Sequence, residues 1–213
     1  MDVIKIYEDY DKTERIAWKT EEAKDEAAYL REKRIYELSQ VATGPDGKTA
    51  MPTVKPFQLP FRHFCNLIQI ADGDIEKALA GLGPAPNGPT PEQLPLLRSR
   101  AERARYWVEE CAPDDFRFKL KDAGEEASAE LSAAEKAAIV SLRDKLIAKI
   151  ENYGDDKSCS TAIYAIAEEQ GIEGKVLFRA AYQALIGKDQ GPRLANFLRS
   201  ISKDRLLDIL SVY

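Results

Sequence analysis

The chain has 213 residues, 44% of them hydrophobic, enough for one large or two small folded cores. Its formal net charge of −5 excludes a protein that coats nucleic acid indiscriminately, because neutralising phosphates demands excess Lys and Arg. No apolar run approaches membrane-spanning length, and Cys65, Cys111 and Cys159 show neither a disulfide framework nor a Cys-x-x-Cys zinc spacing.

The spacing of apolar residues predicts helices almost throughout. Residues 2–18 carry Val3, Ile6, Tyr7, Tyr10 and Ile16 at helical period. Their acidic start lacks the basic and apolar segments of a signal peptide, so the cytoplasm is the expected location. Thr20 is placed to cap a second, highly charged helix to about residue 38, with Ala23, Ala27, Leu30 and Tyr36 as a narrow apolar face. Gly44-Pro-Asp-Gly47 predicts a turn, and Met51-Pro and Lys55-Pro mark an extended connector. Residues 58–71, with Phe61, Phe64, Cys65, Leu67, Ile68 and Ile70, are apolar nearly all round and belong in a core. A short helix capped by Asp74 and a Pro- and Gly-rich linker over 83–91 follow. The next helix runs from about 91 to 111, with Leu94, Leu97, Ala101, Ala104, Trp107 and Val108 on one side, and Pro113 stops it. Residues 116–120 alternate over only five positions, and the polar stretch 121–126 marks the expected boundary between subdomains 1–125 and 126–213.

Ser132-Ala-Ala-Glu135 is a capping box, predicting a helix through about Ile150. Ser158 or Ser160 is expected to cap another, with Ile163, Tyr164, Ile166 and Ala167 turned inward. In the following helix Val176, Leu177, Ala180, Ala181, Ala184 and Leu185 form the stripe, and Gly187 stands where a left-handed residue ends it. Lys188-Asp-Gln-Gly-Pro192 cannot continue that helix, and Pro192 suits the first position of a new one burying Leu194, Phe197, Leu198 and Ile201. A last helix starts at Lys203 or Asp204. The expected fold class is all-α, two packed helical subdomains.

Catalytic chemistry finds little footing. His63 with Cys65 could be a base and nucleophile or two metal ligands, but on an apolar helix both read as core residues. The carboxylate pairs Glu109-Glu110, Asp114-Asp115 and Asp155-Asp156 diverge, as adjacent residues must, and read as solvated surface. Trp18 and Trp107 fall on or beside apolar stripes and read as packing residues. No catalytic residue and no metal ligand is assigned.

The loop after Gly187 is different. Unpaired RNA bases are read on a rigid surface offering main-chain groups, small residues and a guanidinium plane, and Gly191, Pro192, Arg193 and Leu194 supply these consecutively. From 171 to 213, seven basic residues stand against four acidic ones, so this end is locally positive on an acidic chain. Lys188, Arg199 and Lys203 are the phosphate candidates.

The run Leu177-Phe-Arg-Ala-Ala-Tyr-Gln-Ala-Leu-Ile-Gly187, then Gly191-Pro-Arg-Leu194, Ile201 and Asp204-Arg-Leu-Leu207, resembles the C-terminal helical cage of class I lysyl- and glutamyl-tRNA synthetases. Asp9-Tyr-Asp-Lys-Thr-Glu-Arg15, Lys33-Arg-Ile-Tyr-Glu-Leu-Ser39 and Gln58-Leu-Pro-Phe-Arg-His63 with Leu67-Ile-Gln-Ile-Ala71 are similar to the lysyl branch in the same order. The resemblance implies an anticodon-binding α-helix cage at 126–213, preceded by a connecting subdomain. It implies tRNA bearing the lysine anticodon stem-loop as partner, with Gly191 to Leu194 at the anticodon, and neither DNA nor membrane. The His-x-Gly-His and Lys-Met-Ser-Lys-Ser signatures of the catalytic domain do not occur in the chain. The resemblance therefore implies a non-catalytic part of a ligase, needing no cofactor itself, whose absent catalytic domain would take ATP and Mg²⁺. Two alternatives stand beside it: the same region of a glutamyl enzyme, and a helical protein-interaction module without an RNA role.

Overall fold

The computed structural model describes residues 2–40, 51–127 and 129–213. The turn expected at Gly44-Pro-Asp-Gly47 lies outside the described residues. Among the described residues all regular structure is helical, in two compact units, Met1–Glu110 and Cys111–Tyr213.

In the first unit α1 (Val3–Ala17) starts where the Asp2 carboxylate accepts the N–H groups of Ile4 and Lys5. The second helix, α2 (Glu26–Ser39), begins later than Thr20 because Asp25, in extended conformation, accepts from Ala28 N–H. Thr20 instead donates its hydroxyl to Gln58 Oε1 at 2.7 Å. Leu30, expected on the inner face, is 54% exposed, whereas Tyr36 is buried. The all-round apolar helix α3 (Phe61–Ile70) is followed by α4 (Ile75–Ala80), capped by Asp74 as expected, and α5 (Leu94–Tyr106). A π-helical turn over Trp107–Cys111 extends α5.

Burying α3 leaves its first N–H without a partner in its own turn, and Pro60 has no side chain to supply one. Asp11 of α1 does so across fifty residues of chain: its Oδ2 accepts from Phe61 N–H at 3.1 Å. Its Oδ1 takes the guanidinium of Arg100 from α5, with both side chains largely removed from water. Tyr7 stacks flat on Phe61 at 3.7 Å between centroids, and Trp107 meets the same ring edge-on. Glu14, one turn along α1, accepts from the Tyr36 hydroxyl at 3.3 Å. His63 is half-buried on α3 and Cys65 is fully buried; desolvation pushes the thiol up to about 12, so it is no nucleophile at neutral pH.

Near the start of the second unit a turn over 114–116 leads into the irregular stretch 117–120, after which Lys121 N–H donates to the Leu185 carbonyl at 2.9 Å. The capping box forms as read: Ser132 and Glu135 bond reciprocally at the start of α6 (Ala133–Ser141). Arg179 adds an ion pair to the same carboxylate. The helix does not run evenly to Ile150. It passes through a π-helical turn (Leu142–Leu146) into a 3₁₀ segment (Ile147–Asn152) kinked at Lys149. Then come α7 (Asp156–Glu169), α8 (Gly174–Ile186), α9 (Leu194–Ser200), α10 (Lys203–Ile209) and a final 3₁₀ turn. The cap of α7 is Asp155, not a serine: its carboxylate accepts from Ser158 N–H at 2.7 Å. Tyr164, expected inward, is 56% exposed and lies edge-on against Phe178, over Gly174.

Replacing Arg100 by Met leaves the Asp11 carboxylate buried without its cation. Urea unfolding of this variant is expected to show a loss of about 3–5 kcal/mol. Burial raises the Glu14 carboxyl above its ordinary range, against the pull of Arg100. A folded-state pKa above the unfolded one means stability present below the unfolded value and lost as pH rises through the folded value. Glu14→Gln, which keeps an acceptor for Tyr36, is expected to gain stability over the parent at neutral pH, the gain vanishing below the glutamate range.

Candidate nucleic-acid interface

The last turns of α8 are buried on every side. Besides the expected Ala180, Ala181, Ala184 and Leu185, the side chains of Tyr182, Gln183 and Ile186 are also withdrawn from solvent. The helix stops at Gly187, whose φ of 68° is left-handed, as its position in the sequence predicts.

Three side chains then fix the course of residues 188–193. Tyr182 lies beneath Gly191: a Cβ there would come within 2.8 Å of the ring and 3.1 Å of Ile186 Cδ1. Close approach, not an unusual φ, therefore demands glycine at this position. The Tyr182 hydroxyl donates to the Pro192 carbonyl, and burial pushes its pKa up to about 12, which keeps the donor proton in place. Gln183 Nε2 donates to Asp189 Oδ1 at 2.9 Å. The Lys188 ammonium donates to the carbonyls of Asp114 and Arg117, tying the loop to the 114–118 segment. Phe197 of α9 completes the support, with Tyr182 at 6.5 Å and Phe118 edge-on at 5.3 Å.

The structure brings Gly191, Pro192 and Arg193 together at the surface: Gly191 and Arg193 are exposed and Pro192 is half-buried. Leu194 departs from them, since its side chain is only 5% exposed. Pro192 is not the first helical residue. Arg193 holds an extended ψ of 116° as the N-cap, so α9 begins at Leu194, without a side-chain cap. The Arg193 side chain makes no hydrogen bond or ion pair with the described residues. The phosphate candidates are each engaged. Lys188 has two of its three N–H groups committed. Arg199 pairs with Asp156 and reaches the Gly154 carbonyl, and Lys203 pairs with Glu151 at 3.2 Å. These last two pairs lie at the surface, where an ion pair contributes only about 0–1 kcal/mol and can be displaced by a stronger anion.

Tyr182, Gln183 and the 114–118 segment shape this loop but escape a reading of helical period. The stripe of small residues on α8 masks a last turn that is buried all round. The alternation of 116–120 was the one local signal for the other.

The profile of the anticodon binding domain family matches residues 53–211. The chain belongs to that family. The resemblance carried by the sequence motifs is borne out by its relatives. The lysine–tRNA ligase of Treponema pallidum is 43% identical over all of this chain, and that of Borreliella burgdorferi 36%. The Thermococcus kodakarensis enzyme is 32% identical over 95% of the chain. The chain spans 38% of the length of the two bacterial ligases and 37% of the third. The pinned loop thus sits in the matched region of an anticodon-binding domain.

Gly191→Ala tests the seat of the loop. The added methyl has no room above the Tyr182 ring, and thermal denaturation is expected to register about 1–3 kcal/mol of lost stability. Tyr182→Phe, which removes only the hydroxyl bonded to Pro192, is expected to cost about 1 kcal/mol.

Proposed function

We propose that the chain is the anticodon-binding region of a class I lysine–tRNA ligase and receives the lysine anticodon stem-loop at residues 188–194. The observation that carries this reading is an exposed, multiply pinned corner with an unengaged arginine, inside a domain of an anticodon-binding family. In this reading Gly191 lets a base lie against the main chain and Pro192 offers an apolar ring face. Arg193 supplies the guanidinium plane for stacking and hydrogen bonding. Leu194, its side chain buried, contributes its N–H at the uncapped start of α9. Arg199 and Lys203 exchange their surface partners for phosphates, and Lys188 turns its remaining N–H outward.

Recognition here orients the tRNA so that its acceptor end reaches a catalytic domain elsewhere in the ligase. In this reading ATP and Mg²⁺ belong to that catalytic domain; among the described residues here no three His, Cys, Asp or Glu side chains converge as metal ligands. The setting in this reading is the cytoplasm; among the described residues no helix is long and apolar enough to cross a membrane. A second reading, a protein-docking module without RNA, draws on the exposed Leu30, Ile35 and Leu38 of α2. Association that survives nuclease and high salt would favour it.

Fluorescence anisotropy with a labelled lysine-anticodon stem-loop tests the first reading. Binding is expected to weaken with salt, and Arg193→Ala to lose about tenfold in affinity together with selectivity, the size of one lost base–side chain stacking contact. Equal affinity for a stem-loop of unrelated anticodon would sink the proposal.

A further inference from the structure

The second unit contains six arginines, and four of them have an intramolecular partner: Arg143, Arg179, Arg199 and Arg205. Arg193 and Arg117 have none among the described residues. Arg117 follows the turn over 114–116, and its carbonyl is one of the two that hold Lys188. The next residue, Phe118, packs against Phe197 under the same loop. Arg117 is thus fixed in place beside the 188–193 corner at its main chain while its guanidinium is left without an acceptor.

The orphaned atoms of this unit point the same way. Among the described residues its buried side-chain polar atoms without a partner are Arg117 Nε and Gln183 Oε1. Gln183 is 6% exposed and its other amide atom holds Asp189 of the loop. A buried donor or acceptor without a partner costs about 1–3 kcal/mol, and one of each flanks this surface loop.

We propose that Arg117 is a second RNA-contacting arginine, one that grips a backbone phosphate of the anticodon loop while Arg193 meets a base. The inference rests on the anticodon reading above and adds a residue and a contact to it. Because the Nε of Arg117 is buried, the fork open to a ligand is the pair of terminal Nη groups, which needs two adjacent acceptors. Uracil presents none on one edge, since its two carbonyl oxygens flank an N–H, whereas a phosphate presents two oxygens. On a uridine-rich loop the bidentate partner of Arg117 is therefore the sugar–phosphate chain. Lys188 acts here as a positioning residue, because its two carbonyl bonds set Arg117 against the loop.

The test uses the 213-residue chain, the lysine-anticodon stem-loop and a set of stem-loops each carrying one uncharged methylphosphonate. Arg117→Gln is expected to weaken binding about tenfold, to leave the preference for the lysine anticodon unchanged, and to lower the salt slope by about 0.7–0.9. One methylphosphonate position should weaken the parent and leave Arg117→Gln untouched. Arg117→Lys, which keeps the charge and loses the fork, should keep most of the salt slope and lose most of that positional sensitivity. Unfolding midpoints equal to the parent's exclude a trivial cause, and Arg117→Lys serves if Arg117→Gln fails to fold. Unchanged affinity and slope in folded Arg117 variants, with a parent that still selects the lysine anticodon, overturns the role of Arg117 alone. Loss of anticodon preference in Arg117→Gln overturns the phosphate assignment. A parent that does not distinguish anticodons overturns the underlying reading, and this inference with it.

Discussion

A buried tyrosine ring pressed against a glycine decides the shape of the candidate interface. Tyr182 leaves no room for a side chain at Gly191, and its hydroxyl holds the next carbonyl. Because the ring belongs to the buried end of α8 and leans on Phe197, the loop inherits the rigidity of the helical core beneath it. That rigidity matters for recognition: a surface already in its binding geometry loses less ordering free energy when a flexible nucleic acid settles on it. Gln183 and Lys188 extend the same principle, each fastening one further point of a six-residue crossing.

Charge follows a complementary logic. The chain is acidic as a whole, so nonspecific attraction to a polyanion is weak, and two of the cations near the loop, Arg199 and Lys203, are neutralised by close partners. Those partners are exposed carboxylates, whose hold is weak enough to yield to a phosphate placed correctly and strong enough to discourage one that is not. Such surfaces favour fit over net attraction.

The all-α class, the capping box at Ser132 and Glu135, the cap at Asp74 and the left-handed Gly187 were legible because each is a local event. Its whole signal lies within one turn of helix. Failures arose where the deciding group was elsewhere or the choice was conformational. Thr20 could have capped α2, but its hydroxyl is engaged by Gln58 and Asp25 holds the extended backbone a cap requires. Asp155 outdid Ser158 for the same reason. Leu30 and Tyr164 follow the helical period and still face solvent, since period names a face and not what covers it. At the candidate site the sequence picked out Gly191, Pro192 and Arg193 as an exposed group. The burial of Leu194 at the start of the new helix was expected and is found, but the sequence could not foresee that Lys188 would be spent on carbonyls more than seventy residues earlier in the chain.

The two units meet the same difficulty in opposite ways. In the first, the unsatisfied start of α3 is answered from within: Asp11 crosses from α1, and Arg100 crosses from α5 to make that carboxylate tolerable in a buried place. The outcome is a network in which both Asp11 oxygens are engaged, although the Nε of Arg100 stays buried without a partner. In the second unit the capping box and Arg179 close one such network around Glu135, yet the groups around the α8–α9 loop are left partly open. Closed networks fix a fold, because breaking any member strands the others. Open ones give up stability at a chosen place, and that place coincides here with the exposed corner, the unengaged arginines and the aromatic support. Unmet buried atoms occur in the first unit too, at Trp18, Gln58 and Arg100, so it is the exposed corner with its unengaged arginines and aromatic support that distinguishes this loop from a simple connector between helices.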